Sequence, residues 1–259
     1  QKNNKEKITI MTVVVKGALW VFLACLLSAP SHANPTLLNH AQAAFQAVSA
    51  MYMKALSHGS PKYQADLDRF KQEASASLQA FQEQDPVNGN EWARRWNGFV
   101  ANLTVEYSPE FDWDVSAYTR RDARGYISDL YAYISNNADI QEGQDQALLA
   151  QVEVQAITAR FFDVSSSYNG TISLSPQDAE KLEPTAASER FKARLDNLAQ
   201  SPQGSQWAKK IASAKGKWEF VEDSVVNYSD ENAFFLVYAT KKKIAKVLQS
   251  TSVSLASNL

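Results

Sequence analysis

The stretch "FVANLTVEYSPE", Phe99 to Glu110, returns 121 positions later as "FVEDSVVNYSDE", Phe220 to Glu231. Both read FV-x4-V-x-YS-x-E. Working outward, other fragments recur in the same order. Phe45-Gln-Ala-Val-Ser-Ala50 resembles Val154-Gln-Ala-Ile-Thr-Ala159, with aromatics close behind each, Tyr52 and Phe161-Phe162. Phe70-Lys71 matches Phe191-Lys192, and Gly89-x-x-Trp92-Ala-Arg-Arg95 matches Gly204-x-x-Trp207-Ala-Lys-Lys210. Tyr118-Thr119-Arg-Arg121 has a looser echo in Tyr238-Ala-Thr240-Lys-Lys242. Five ordered matches point to an internal duplication.

The period within each copy is helical. Trp207, Ile211, Ala214, Trp218, Val221 and Val225 step by alternating fours and threes, one apolar stripe of a long helix. Trp92, Trp96, Phe99 and Leu103 step the same way. The offset between copies changes by six residues between Trp92 and Phe99. Either the helix breaks near Asn97-Gly98 and Lys215-Gly216, or the alignment slips there. Serine before proline, as at Ser60-Pro61, Ser108-Pro109, Ser175-Pro176 and Ser201-Pro202, suits a helix start. The hydroxyl caps a free N–H, and proline at the first position loses no hydrogen bond. The repeated phrase then marks one helix ending at the tyrosine and the next beginning at the serine.

The expected fold is therefore all-α: two tandem antiparallel four-helix units from an internal duplication. The first unit spans 34–140, with helices near 36–57, 61–84, 90–107 and 109–136. The second spans 141–259, with helices near 145–167, 185–200, 205–228 and 230–250 and a short extra one at 176–182. Thr171 to Leu174 is the one strand candidate.

Residues 1–33 read as upstream sequence followed by a cleaved signal peptide. From Met11 there is one charge at Lys16, an apolar run from Gly17 to Ala29, and a small-residue end at Ser31-His32-Ala33. The run is short for a membrane span, so no transmembrane segment is expected after cleavage. A lipidated Cys25 is the alternative, disfavoured by the apolar Leu26-Leu27 that follows. From Asn34 onward there is no cysteine, which excludes disulfides and thiol chemistry. A bacterial periplasmic location fits, with an extracellular one as the alternative. That part carries 22 basic and 27 acidic side chains, which argues against nucleic-acid binding.

Signatures of chemistry are sparse. His40 and His58 sit near opposite ends of the first helix, too far apart to share a metal, and read as surface or capping residues. Glu110, Asp112 and Asp114 read as acids at a helix start rather than a cation site. No cofactor and no metal are expected. The basic clusters repeat between copies: Arg94-Arg95 with Lys209-Lys210, and Arg120-Arg121 with Lys241-Lys242. Arg94, Arg95, Lys209, Lys210, Arg120 and Arg121 are the candidate binding residues for an acidic ligand or partner. The function expected is non-enzymatic: binding or scaffolding an unidentified protein partner. The alternative is a small apolar or anionic ligand held in the cleft between the units.

Overall fold

A computed structural model describes residues 35–137, 144–167, 181–201 and 204–256. The signal segment, Thr171 to Leu174, Ser175-Pro176 and all but the last two residues of the 176–182 helix lie outside the described residues. The elements are α1 (Pro35–Leu56), α2 (Pro61–Gln84), α3 (Pro86–Val100), β1 (Glu106–Ser108), β2 (Asp112–Asp114), α4 (Ala117–Asn137) and α5 (Gln144–Ser165). They continue with α6 (Pro184–Gln200), α7 (Ala208–Glu219), α8 (Glu222–Asn227) and α9 (Phe234–Ala256). Short 3-10 turns at Gly204–Trp207 and Glu231–Ala233 precede α7 and α9. The fold is mostly helical, as the periodicity requires.

Helix α1 packs on α2, α2 on α3, α3 on α4 and α4 back on α1. In the second half, α5 meets α6, α6 meets α7, α7 meets α9 and α9 returns to α5. The two circuits meet where α1 lies against α5. These helices run in the same direction. Asn39 and Gln42 of α1 and Gln151 of α5, in their first halves, line one cleft, while Tyr52 and Asp163, near their ends, line one small cavity.

Acid before proline starts two helices. Asp85 accepts from the Asn88 N–H at 3.1 Å ahead of Pro86, and Glu183 accepts from Thr185 and Ala186 ahead of Pro184. Of the serine-proline pairs, Ser60-Pro61 does precede α2, though the Ser60 hydroxyl makes no cap bond. Ser201 ends α6 instead.

The opening phrase lies in two different settings. In the first copy α3 stops at Val100, and Tyr107 sits in the antiparallel hairpin β1–β2, paired with Trp113. Ser108 caps the three-residue loop by accepting from the Phe111 N–H at 3.0 Å. Asp112 (φ 57) takes the left-handed conformation that follows such a turn. In the second copy Tyr228 (φ 53) is the left-handed C-cap of α8, and Asp230 rather than Ser229 caps the next turn. Phe99 is buried, whereas Phe220 is 70% exposed. Glu110, Asp112 and Asp114 thus stand on a hairpin, not at a helix start.

Neither helix breaks at Gly98 or Gly216, so the alignment slips there. Trp92 lies inside α3, whereas Trp207 ends the turn ahead of α7. Trp96 and Trp218 correspond better. Both are buried, and each indole N–H donates at 2.9 Å to a serine of the preceding helix, Ser75 or Ser188.

His40 is a core residue, not a surface one. Its Nδ1–H donates to the Ala74 carbonyl at 2.8 Å, so Nε2 accepts from the Tyr126 hydroxyl at 2.7 Å. The Trp96 ring stands edge-on 5.2 Å away. Position 40 faces the α2–α3–α4 core because α1 is covered nearly all round. Burial holds the imidazole neutral, lowering its pKa from 6.5 to about 4 against the opposing pull of the Ala74 carbonyl. The unfolded chain protonates this group near pH 6.5 and the folded chain near 4. Its contribution is therefore whole above pH 6.5 and is lost as pH falls toward 4, to a total of about 3 kcal/mol. Denaturant titrations between pH 6.5 and 5 should show stability falling in the wild type and nearly constant in His40→Gln.

Gly59 (φ 78) allows the α1–α2 turn to pass under Trp113; a Cβ there would lie 2.1 Å from the indole. Lys54 stands over the same ring at 4.8 Å, and His58 Nδ1–H donates to Asp112 at 2.5 Å. Gly59→Ala should push Trp113 off the turn, red-shift tryptophan emission and destabilise the chain by about 1–3 kcal/mol.

Candidate functional site

The six basic residues singled out by the sequence fall into three environments. Arg94, Lys209 and Arg121 are exposed, Arg121 pairing with the adjacent Asp122 at 2.9 Å. Arg95 lies over the Trp92 ring at 4.4 Å and pairs with Asp129 on α4, as does Lys181. Lys210 covers Trp207 at 4.4 Å and reaches Ser250 on α9. The Arg94-Arg95 and Lys209-Lys210 pairs are thus anchored to different fourth helices.

Arg120 is buried and belongs to the framework. Its Nε donates to the Val115 carbonyl (3.0 Å), one terminal nitrogen to Asp114 (2.9 Å) and the Ser166 carbonyl (2.8 Å). The other reaches Asp163 (3.3 Å) and the Ser166 hydroxyl (2.8 Å). Arg124 holds the second face of the Asp163 carboxylate at 2.5 Å. Two arginines on one buried carboxylate tie the hairpin and the start of α4 to the end of α5. Lys241, 121 positions later, is equally buried but differently served. Its ammonium lies over Phe162 (5.3 Å) and Tyr238 (5.1 Å) and meets no hydrogen-bond acceptor among the described residues. Burial, helped by Lys242, pushes it well below the usual lysine range.

The surface that sequence reasoning missed is one end of the bundle. The connections α1–α2, α3–α4 and α7–α9 turn there, and α5 ends there. Contacts between them prove it: His58 with Asp112, Tyr63 with Phe235, Arg120 with Ser166, and Phe161 with Tyr228. Of the seven large apolar side chains exposed among the described residues, six belong to this end: Tyr107, Phe111, Tyr118, Phe220, Phe235 and Leu236. The remaining one, Val87, starts α3 at the opposite end. Exposed acids lie among them. Glu106, Glu110, Glu219, Asp223 and Asp230 form no ion pair with a described residue, against Lys62 and Arg121 as exposed cations. Several exposed aromatics at one end, with carboxylates in excess over cations there, suit a protein-docking surface. No helix among the described residues is long and apolar enough to cross a membrane, and no group of three His, Asp or Glu among them is placed to hold a metal ion.

Removing the two buried cations should have opposite effects. Arg120→Met leaves Asp163 half-compensated and should lower stability by about 3–5 kcal/mol. Lys241→Met removes a cation that burial disfavours and should leave the melting temperature unchanged or raised. Thermal melts of the two variants at neutral pH check this.

The chain matches no protein-family model, no curated protein and no solved structure.

Proposed function

We propose that the chain is an exported, non-enzymatic helical protein of the bacterial periplasm that binds a protein partner at its aromatic end. In this reading it is built by doubling one four-helix unit. The leader-like pattern from Met11 to Ala33 supports export. The doubling is supported by the matching helix circuits and by Thr119-Arg120 and Thr240-Lys241, buried 121 positions apart. Each of these cations lies over an aromatic ring of the first helix of its own half, Tyr52 or Phe162. Binding over catalysis is supported by His40, Glu153 and Asp163, which are buried and engaged with neighbours.

The observation that carries the functional reading is the concentration of exposed aromatics at one end. Phe220 and Tyr118, 70% and 75% exposed, leave most of their apolar area in water and gain when a partner covers it. The interspersed carboxylates select a partner whose facing surface is basic and apolar. The test uses the purified chain to recover partners from periplasmic extract, beside a Tyr118→Ser/Phe220→Ser/Phe235→Ser variant of unchanged melting temperature. The expected outcome is a basic partner retained at low salt by the wild type, reduced by salt and lost with the triple variant. Equal recovery by both forms would place the partner elsewhere and overturn the reading.

A further inference from the structure

A second site lies away from that end, between α2 and α9. The two helices touch near their starts. Tyr63 and Tyr238 pack edge-on at 5.2 Å, and Asp66 accepts from the Tyr238 hydroxyl (2.9 Å), Lys242 (3.3 Å) and Arg69 (2.8 Å). Beyond this clasp they diverge and leave an open cleft of about 780 Å³ with α1 as its floor. That volume falls within the range of small-molecule sites.

The lining differs from the mostly apolar walls of such sites. Arg69, Lys242, Lys243 and Lys246 bring four positive charges, against the single carboxylate of Glu73. Arg69 is matched by Asp66 and Glu73, and Lys242 by Asp66. Lys243 and Lys246 meet no carboxylate among the described residues. A net positive wall on an acidic chain concentrates anions. The floor is built of amides: Asn39, Gln42 and Gln46, spaced along one face of α1, with Gln151 of α5 beside them. The Gln42 amide nitrogen is shut off from solvent and meets no acceptor among the described residues. If the side chain turns toward the cleft, a ligand that brings its own oxygens satisfies this nitrogen. Aromatic stacking surface is nearly lacking, since Phe70 is the one ring in the lining.

The other half shows what such a wall does when it has an anion. Arg190 and Arg194 of α6 stand 121 positions after Arg69 and Glu73. They converge on buried Glu153 at 3.6 and 3.5 Å, and the Tyr131 hydroxyl donates to the same carboxylate. The position 109 residues before Glu153, the offset of the first helices, is Ala44. The cleft keeps one of these two cations, Arg69, with Glu73 in the place of Arg194; its lysines come from α9, and its floor has no internal carboxylate.

We propose that this cleft binds a short, polyhydroxylated anion: an acidic oligosaccharide or a sugar phosphate. Lys243 and Lys246 hold the carboxylate or phosphate, and the amides of Asn39, Gln42 and Gln46 read the hydroxyls. The reading stands apart from partner docking, because none of these residues belongs to the aromatic end. Titration calorimetry of the purified chain with trigalacturonate, glucose 6-phosphate, maltotriose and inorganic phosphate tests it. At low salt at least one of the two charged sugars should bind, and which one identifies the anionic group. Lys243→Gln/Lys246→Gln should weaken that binding on the order of tenfold or more. Gln42→Met should weaken it several-fold, while the Tyr118→Ser/Phe220→Ser/Phe235→Ser variant should bind as the wild type does. Glu73→Gln, which removes the one repelling carboxylate, should tighten it. Absence of binding by both charged sugars, maltotriose binding as tightly as either, inorganic phosphate matching them, or indifference to the lysine pair would each overturn the proposal.

Discussion

Helices α1 and α5 lie against each other and are covered on nearly every other side, so neither has an ordinary solvent face for its polar groups. Alanine at 41, 43, 44, 47 and 50 lets neighbours approach α1 from several directions at once. The consequence is electrostatic as much as steric. A buried polar atom without a partner is costly, so each polar side chain on these two helices dictates what a neighbouring helix must offer. His40 requires the Ala74 carbonyl and the Tyr126 hydroxyl. Glu153 draws in Arg190, Arg194 and Tyr131. Asp163 draws in Arg120 and Arg124. Ser49 and Thr158 turn back onto their own helices, to the Phe45 and Val154 carbonyls. The arrangement of the surrounding helices follows from these demands together with the apolar stripes.

The same logic separates two cations that the sequence presents as equivalents. Arg120 offers a planar fork with several donors, and the end of α5 and the hairpin supply acceptors for every one of its nitrogens. Lys241 offers a compact ammonium to a site walled by Phe162 and Tyr238, where ring faces and the Asp66 charge attract it but no acceptor among the described residues bonds it. Ring attraction favours the charged form, and desolvation opposes it; at full burial desolvation dominates, so the lysine is depressed. Glu153 is the mirror case. Burial raises its carboxyl above the usual range even with two guanidinium groups and a phenol turned toward it. A matching position in the sequence therefore does not fix the role of a charge; the acceptors around it do.

Much of the helical framework was legible because apolar steps of three and four residues survive any detail of packing. The stripe from Ile211 through Val225 is buried as spaced, as are Trp92, Trp96, Phe99 and Leu103. What escaped was local chemistry with two solutions. Ser108-Pro109 suits a helix start, but three residues on, Asp112 takes a left-handed turn and Trp113 lands on Gly59, a contact set by a distant glycine. His40 looked like a surface residue because one polar side chain in an apolar helix is normally on its wet side. Here the wet side of α1 is only the Asn39, Gln42 and Gln46 stripe. The aromatic end was illegible for a related reason. Tyr107, Phe220 and Phe235 have the composition of a core, and only the chain path shows that nothing in the described residues covers them.

That narrow stripe connects the fold to its chemistry. A helix buried on all sides contributes nothing to binding, and a helix half in water offers its groups to solvent. The α1 floor lies between these limits. Its amides line a cleft that is open only because α2 and α9 diverge after the Asp66 clasp. Gln42 and Gln46 are half-buried there, so they lose less conformational entropy on meeting a ligand than fully exposed glutamines would. Across α5, Glu153 fills the related space from within and locks α4 to α6 through Tyr131 and Arg190. The cleft has no such carboxylate: its floor is Asn39, Gln42, Ala43 and Gln46, while Ala44 is fully buried on another side of α1. The presence or absence of an internal anion thus separates a structural ion network from a binding site.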